Sequence, residues 1–192
     1  MQSSILLSKG FIKYLTKFIL VFCILYYGTI AFIGITSAGG DYYWEFADKY
    51  LNYVSWLRYM LMNSSKFFLS LIGFHTNIVN DVWLYSNNGS GVHIGYDCIG
   101  YGVIFFWVSF IIANPAPFKR KLKWIIGGII VIWIINVLRV SLLLLAIHNN
   151  WKVFFSINNH TAFNIVAYSA IFTMIYFYDR SEKKRLAINN NE

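Results

Sequence analysis

Three residues in the second half of the chain, Cys98, Arg139 and His160, have side chains that together could carry out nucleophilic catalysis. A cysteine thiol becomes a strong nucleophile when a nearby cation or a histidine base favours its thiolate form. A guanidinium stays positively charged because its pKa exceeds about 12, and an imidazole exchanges protons near neutral pH. The set therefore predicts a covalent, cysteine-based reaction, provided that the fold brings the three side chains together.

Arg139 is the most informative of the three because it lies inside a long apolar segment. A charge at the centre of a membrane-spanning helix costs at least about 2.5–3.5 kcal/mol, so such residues are usually functional or paired. One alternative is that Arg139 extends toward the membrane surface or pairs with Asp97. Cys98 could likewise be an inert buried thiol, which is how we interpret Cys23 in its own apolar run.

Other histidines compete with His160. His75, His93 and His148 are expected on the same side of the membrane, so topology alone does not single out one imidazole. A metal site formed by His93, Cys98, His148 and His160 is an alternative, but no ligand spacing supports it. We therefore expect neither a metal nor another cofactor.

Two asparagines and an aspartate could support the site. Asn136 lies about one turn before Arg139 on the same helical face and could orient it. Asn164 lies one turn after His160, and Asp97 directly precedes the cysteine. Either asparagine could instead be a polar residue that packs helices together.

The composition indicates that membrane helices must position these residues. Of the 192 residues, 58% are hydrophobic and 12% are charged, whereas a typical soluble domain has about 25% charged residues. Apolar segments of about 20 residues predict an all-α membrane protein with a bundle of about four transmembrane helices. The predicted spans are 18–37, 99–114, 124–148 and 161–178.

The remaining segments are predicted to lie outside the membrane core. Polar and charged residues interrupt 50–74, which we interpret as an amphipathic helix on the outer face, with a further span as the alternative. Residues 78–98 predict a short β-hairpin around a glycine-rich turn. The chain thus divides into a basic cytoplasmic N-terminus (1–17), a membrane-embedded domain (18–178) and a basic cytoplasmic tail (179–192) that is expected to be disordered.

The distribution of charge predicts the orientation of the bundle. Loops rich in lysine and arginine stay on the cytoplasmic side. With four spans, 11 of the 16 lysines and arginines lie on three segments that share one side, whereas five of the eight acids lie on the other. Cys98, Arg139 and His160 are then expected in the outer half of the membrane. The net charge of +8 is a topology signal, and no nucleic-acid partner is expected.

Three short motifs resemble the exosortase/archaeosortase family, in the form of a compact bacterial-type member. Asp97-Cys98-Ile99-Gly100 begins one span, Asn136-Val137-Leu138-Arg139 lies late in the next, and His160 begins the last. Their order, spacing and membrane position over about 78–178 are similar to that family's cysteine, Asn-x-x-Arg element and histidine. Ile99 stands where the family usually has a small hydroxylated residue.

The resemblance implies a cysteine transpeptidase or protease in the cytoplasmic membrane, active on its outer face. Its partners would be the lipid bilayer and secreted substrates whose C-terminal sorting signal combines a short motif, a transmembrane helix and a basic cluster. By resemblance, Cys98 would attack the scissile carbonyl, while Arg139 and His160 would share proton transfer and stabilisation of the oxyanion.

Two other functions stay open at this point. One is a non-enzymatic membrane subunit for assembly or export of an envelope polymer, in which the same residues serve packing. The other is a small transporter in which Arg139 binds an anion, although four spans without paired broken helices make a poor match to transporter folds.

Overall fold

The computed structural model describes residues 9–149 and 159–189, without the side chains of 159–164, 167 and 186–189. Six α-helices, a short 3₁₀ turn and one three-stranded antiparallel sheet make up this part of the chain. In chain order they are α1 (Lys9–Thr36), α2 (Glu45–Leu51), α3 (Tyr53–Leu71), β1 (Thr76–Val79), β2 (Trp83–Ser86), β3 (Gly91–His93), the 3₁₀ turn (Tyr96–Ile99), α4 (Tyr101–Ala113), α5 (Phe118–His148) and α6 (Asn159–Asn189).

Two of the described helices, α1 and α5, are long and apolar enough to cross a membrane, which is fewer than the four predicted spans. The predicted span 99–114 corresponds to the shorter apolar helix α4. Its 13 residues cover about 20 Å, less than the roughly 30 Å hydrocarbon core. α4 is short because Gly100 adopts a left-handed conformation before it, and Asn114 is extended ahead of Pro115. The predicted span 161–178 lies within α6.

The helix predicted over 50–74 is two helices in the structure. Asn52 separates them: its amide group donates to Asp48 Oδ1 (2.7 Å), and its Oδ1 accepts the backbone N–H of Ser55 (3.0 Å). This side chain therefore caps α3 and stops it from continuing α2. One face of α3 is buried in the main apolar cluster, together with residues of α5 and of the sheet. The fully buried members of that cluster from α3 are Leu61, Met62 and Leu69.

The predicted β-hairpin is present but belongs to a three-stranded sheet. β2 and β3 pair antiparallel around the glycine-rich turn, and β1 pairs with the other edge of β2. β1 lies partly before the predicted hairpin and has four residues, two of them the polar Thr76 and Asn77, so it carries little strand signal. Leu84 and Ile94 are fully buried against α3 and α5, so the sheet covers one end of that helix pair.

The contact between α4 and α5 depends on a glycine. The fully buried indole of Trp107 donates its Nε1–H to the backbone carbonyl of Trp124 on α5 (3.0 Å). A Cβ at Gly128, one turn after Trp124, would overlap the Trp107 ring. A Cβ at the neighbouring Gly127 would meet nothing within 4 Å. Gly128 therefore leaves the space that lets the tryptophan reach the backbone of α5.

We expect Gly128→Ala to destabilise the protein by about 1–3 kcal/mol, because the added methyl group forces the Trp107 ring out of its site. Gly127→Ala is the matched control: at this exposed helical position, alanine is expected to be neutral or to stabilise by up to about 1 kcal/mol. Unfolding of both variants in the same detergent, followed by far-UV circular dichroism, measures the difference. Equal stability of the two variants would contradict this account of the α4–α5 contact.

The expectation of a disordered tail from Asp179 onward is wrong for the residues that the structure describes, because α6 continues to Asn189. Arg120 on α5 forms an ion pair with Glu182, and its Nη2 donates to Ser181 Oγ (2.6 Å) and to the Ser181 carbonyl (3.0 Å). Glu182 also pairs with Arg185 (2.8 Å). This network ties the last part of α6 to the start of α5, so the charged residues form a helix there.

The same end of the bundle gathers the basic segments of the chain. Lys121 Nζ donates to the carbonyl of Ile112 (2.9 Å), which joins the start of α5 to the end of α4. The rings of Phe18 and Phe106 meet edge to face at 5.3 Å, which packs the first half of α1 against α4. We call this end of the molecule the basic end. Its lysines and arginines are Lys9, Lys13, Lys17, Lys119, Arg120, Lys121, Lys123, Arg180, Lys183, Lys184 and Arg185.

Candidate active site

Cys98 lies on the 3₁₀ turn between β3 and α4, toward the end of the bundle that is opposite the basic end. Its backbone N–H donates to the Gly95 carbonyl (3.0 Å), and the turn ends at Gly100 with a φ of 77°. This left-handed conformation favours glycine. A Cβ at Gly100 would also lie 3.3 Å from Asn136 Nδ2, tighter than an ordinary contact. Glycine two residues after the cysteine thus fits both the turn and the approach of Asn136.

Asn136 connects the cysteine-bearing turn to α5. Its buried side-chain amide donates to the Cys98 carbonyl (2.9 Å) and to the Ile99 carbonyl (2.8 Å). These two bonds use both amide hydrogens. The role proposed from the sequence was to orient Arg139, one turn later on the same helix. The hydrogen bonds show that Asn136 holds the backbone of Cys98 and so fixes the position of the turn relative to α5; its predicted role toward Arg139 stays a prediction.

Ile99 anchors the turn from the other side. Its side chain is only 1% exposed and lies in an apolar cluster with Val54 of α3 and Tyr101 of α4. Burial of an isoleucine contributes about 1.5–3 kcal/mol, so this contact favours one orientation of the turn. The fold therefore accommodates isoleucine at position 99, where the resemblance leads one to expect a small hydroxylated residue. The Ile99 side chain points into the protein, and its backbone carbonyl accepts a hydrogen bond from Asn136.

The Cys98 side chain is partly buried and packs against the main apolar cluster. Its surroundings come from the sheet, α3 and α5. Cys23, the other cysteine of the chain, is also partly buried and lies within α1. The two thiols differ in setting: Cys98 lies on a hydrogen-bonded turn beside polar groups, whereas Cys23 lies in an apolar helix that is long enough to span the membrane.

A cavity of about 340 Å³ lies beside the turn and is lined by residues of α1, α4, α5 and α6. Asp97, Asn136 and Arg139 supply polar groups to it, and Tyr26 lines it from α1. The remaining lining is mostly apolar: Gly100, Tyr101, Gly102, Val103, Ile132, Ile135, Leu138, Leu142 and Val166. Cys98 is not among the described residues that line the cavity. Asn136 therefore both lines the cavity and binds the backbone of Cys98.

The profile of the transmembrane exosortase family matches residues 43–177, which include the 3₁₀ turn, Asn136 and Arg139. The chain belongs to this family. No curated protein and no solved structure matches the chain significantly. The family match, together with the apolar helices α1 and α5, identifies this exosortase as a membrane protein.

A second arginine lies beside the cysteine-bearing turn of this exosortase. The Cζ atom of Arg58, on α3, lies 5.0 Å from the centroid of the Tyr96 ring, a cation–π contact. Its Nε is buried and has no hydrogen-bond partner in the described part of the chain. In the sequence analysis, Arg58 counted only as one of the polar and charged residues that interrupt 50–74. Its position between apolar residues, which is also the position of Arg139, could have marked it as a candidate site residue.

The side chains of His160 and Asn164 lie outside those that the structure describes. His160 is the second residue of α6, and Asn164 follows one turn later on the same helix. Their predicted roles in the site stay predictions.

The competing histidines have structural contacts of their own. His148 Nδ1 lies 3.1 Å from Ser86 Oγ, a hydrogen bond that links α5 to the sheet. The ring of His93 lies 5.0 Å from that of Trp83. Among the side chains that the structure describes, which do not include that of His160, no three from histidine, cysteine, aspartate or glutamate form a group that could hold a metal.

Proposed function

We propose that this exosortase is a membrane-embedded cysteine transpeptidase or protease that cleaves C-terminal sorting signals of secreted proteins. The observation that carries the proposal is the pair of hydrogen bonds from Asn136 to the carbonyls of Cys98 and Ile99. They join the candidate nucleophile to the helix that bears Arg139, within a member of the exosortase family. In the proposed enzyme, this connection holds the backbone of the nucleophile in a fixed position relative to the helix that bears Arg139.

In the proposed acylation step, His160 takes the thiol proton and the Cys98 sulfur attacks the scissile carbonyl carbon. A carbon–sulfur bond forms, and the carbonyl electron pair moves onto oxygen to give a tetrahedral oxyanion. The guanidinium of Arg139 stabilises this oxyanion with fixed hydrogen-bond donors and a permanent positive charge. Collapse of the intermediate breaks the carbon–nitrogen bond, the leaving amine takes the proton from His160, and an acyl-thioester remains on Cys98.

The second step releases the acyl group from Cys98. Attack by water gives a free carboxylate, and attack by an amine gives a new amide bond that attaches the secreted protein to its acceptor. In both cases the thioester carbon–sulfur bond breaks and the sulfur regains its proton.

The proposed substrate is held by the membrane as well as by the enzyme. A substrate with its own transmembrane helix presents the scissile bond at a fixed depth, which supplies proximity and orientation. The largely apolar cavity beside Arg139 suits a segment of such a chain. Arg139 lies nine residues before the end of α5, or about 14 Å along the helix. The basic end is the other end of the bundle and is proposed to face the cytoplasm, and the site is accordingly proposed to face the extracytoplasmic side.

We expect Arg139→Lys to lower the rate of substrate processing ten- to a hundredfold. Lysine keeps the charge but lacks the planar, multidentate donor group that stabilises an oxyanion. The measurement is the rate at which a secreted reporter with the sorting signal is cleaved in a cell that expresses each variant at equal level. Arg58→Lys is the matched control, because it makes the same substitution at the other arginine beside the site and retains a cation over the Tyr96 ring. We expect it to lower the processing rate less than Arg139→Lys does. An unchanged rate for Arg139→Lys would contradict the proposed role.

A further inference from the structure

A second cavity, an open surface groove of about 510 Å³, lies at the basic end between α5 and α6. Trp124 lines it from α5. Five residues line it from α6: Met174, Phe177, Arg180, Ser181 and Lys184. These recur every three or four positions, so they form one stripe along the helix. The cavity is distinct from the candidate active site, which lies toward the other end of the bundle.

The stripe on α6 changes from apolar to cationic along its length. Met174 and Phe177 come first, and Arg180 and Lys184 follow toward the basic end. Ten residues separate the first from the last, which corresponds to about 15 Å of helix. Phe177 is 53% exposed, so its ring is available to a ligand. Such a surface matches a molecule with an apolar tail and an anionic head that lies parallel to the helix axis.

The two cations of the stripe are not neutralised by neighbouring acids. Asp179 pairs with Lys183 (2.7 Å), and Glu182 pairs with Arg120 and Arg185. Within the described residues, Arg180 and Lys184 therefore have no ion-pair partner. Ser181 Oγ accepts a hydrogen bond from Arg120 and keeps its own proton for donation.

We propose that this cavity binds the headgroup of an anionic phospholipid, with its acyl chains along Met174 and Phe177. The phosphodiester would lie between Arg180 and Lys184 and accept a hydrogen bond from Ser181. Basic cavities between transmembrane helices on the cytoplasmic side commonly bind acidic lipid headgroups, and a tryptophan such as Trp124 suits the interfacial depth. This site is independent of the proposed peptidase chemistry.

The test uses the purified 192-residue chain in a neutral maltoside detergent. Dioleoylphosphatidylglycerol is titrated in, the thermal unfolding midpoint is followed, and retained lipid is counted by native mass spectrometry. We expect stabilisation and a retained lipid, with dioleoylphosphatidylcholine much less effective. Arg180→Gln/Lys184→Gln is expected to raise the concentration of phosphatidylglycerol needed for half-maximal stabilisation by about tenfold or more.

The matched control is Lys119→Gln/Lys123→Gln, which removes the same charge from exposed positions of the basic end outside the cavity. If phosphatidylglycerol stabilises this control as strongly as the wild-type chain, the proposed site is supported. If both double variants lose stabilisation equally, the site is overturned, because the lipid then responds to the overall charge of the basic end. Arg180→Lys/Lys184→Arg keeps both charges and is expected to retain lipid. Equal stabilisation of the wild-type chain by inorganic phosphate would overturn the lipid assignment, because the apolar stripe would then contribute nothing.

Discussion

Replacing Cys98 by alanine is expected to lower processing of a sorting-signal substrate by at least about 10³-fold, since removal of a covalent nucleophile eliminates the acyl-enzyme route. The variant should nevertheless fold and insert. Its backbone carbonyl still accepts the hydrogen bond from Asn136, and the partly buried thiol contributes only part of the packing at this position. The measurement is cleavage of a secreted reporter that ends in a short motif, an apolar helix and a basic cluster, together with the amount of enzyme in the membrane fraction.

Cys23→Ala is the matched control for this experiment. It removes the other cysteine of the chain, which is also partly buried but lies within the apolar helix α1. We expect processing at the wild-type rate. Full processing by Cys98→Ala would contradict the proposed mechanism and favour a membrane subunit in which Cys98 serves packing alone.

The helical content and the β-hairpin that precedes Cys98 were accessible from the sequence. Long apolar runs give helices whatever their partners, because the backbone must satisfy its hydrogen bonds internally in a membrane. The hairpin could be predicted because a glycine-rich turn separates two segments rich in β-branched and aromatic residues. The turn that carries Cys98 was not predicted: the predicted span begins at residue 99, whereas Gly100 adopts a positive φ and α4 begins at Tyr101.

Other features depend on tertiary contacts that no local pattern encodes. The tail forms a helix because Arg120, 62 positions away from Glu182 in the sequence, binds it. Asn136 also binds a turn 37 and 38 positions earlier, which its spacing to Arg139 does not indicate. Arg58 came close to Tyr96 only through the packing of α3. The spacing of residues in a sequence predicts which side chains are neighbours within one helix. The partners of Arg120, Asn136 and Arg58 lie on other elements, so spacing does not predict them.

Asn136→Leu is expected to destabilise the protein by about 2–5 kcal/mol, because two carbonyls lose their donor at once and each buried unsatisfied group costs about 1–3 kcal/mol. Leucine has a similar size and adds no charge beside Arg139. Activity should fall at least about a hundredfold even in the folded fraction, since a nucleophile displaced by about 1 Å loses that much rate. Unfolding in detergent and the reporter assay, normalised to folded enzyme, measure the two effects separately.

Asn114→Leu provides the same change at the end of α4, where the asparagine amide donates to the carbonyl of Phe110 within its own helix (2.7 Å) and the side chain also bonds Tyr14 of α1. Loss of these bonds should cost about 1–3 kcal/mol and leave processing unchanged, because they lie at the basic end and no part of the candidate site depends on them. Both asparagines connect two elements, so the contrast isolates what is special about Asn136: one of the elements that it connects carries the proposed nucleophile. If both variants lose activity in proportion to their loss of stability, Asn136 supports the fold without positioning Cys98. If Asn136→Leu loses activity beyond its loss of stability, the amide contributes to catalysis by holding the cysteine-bearing turn against α5.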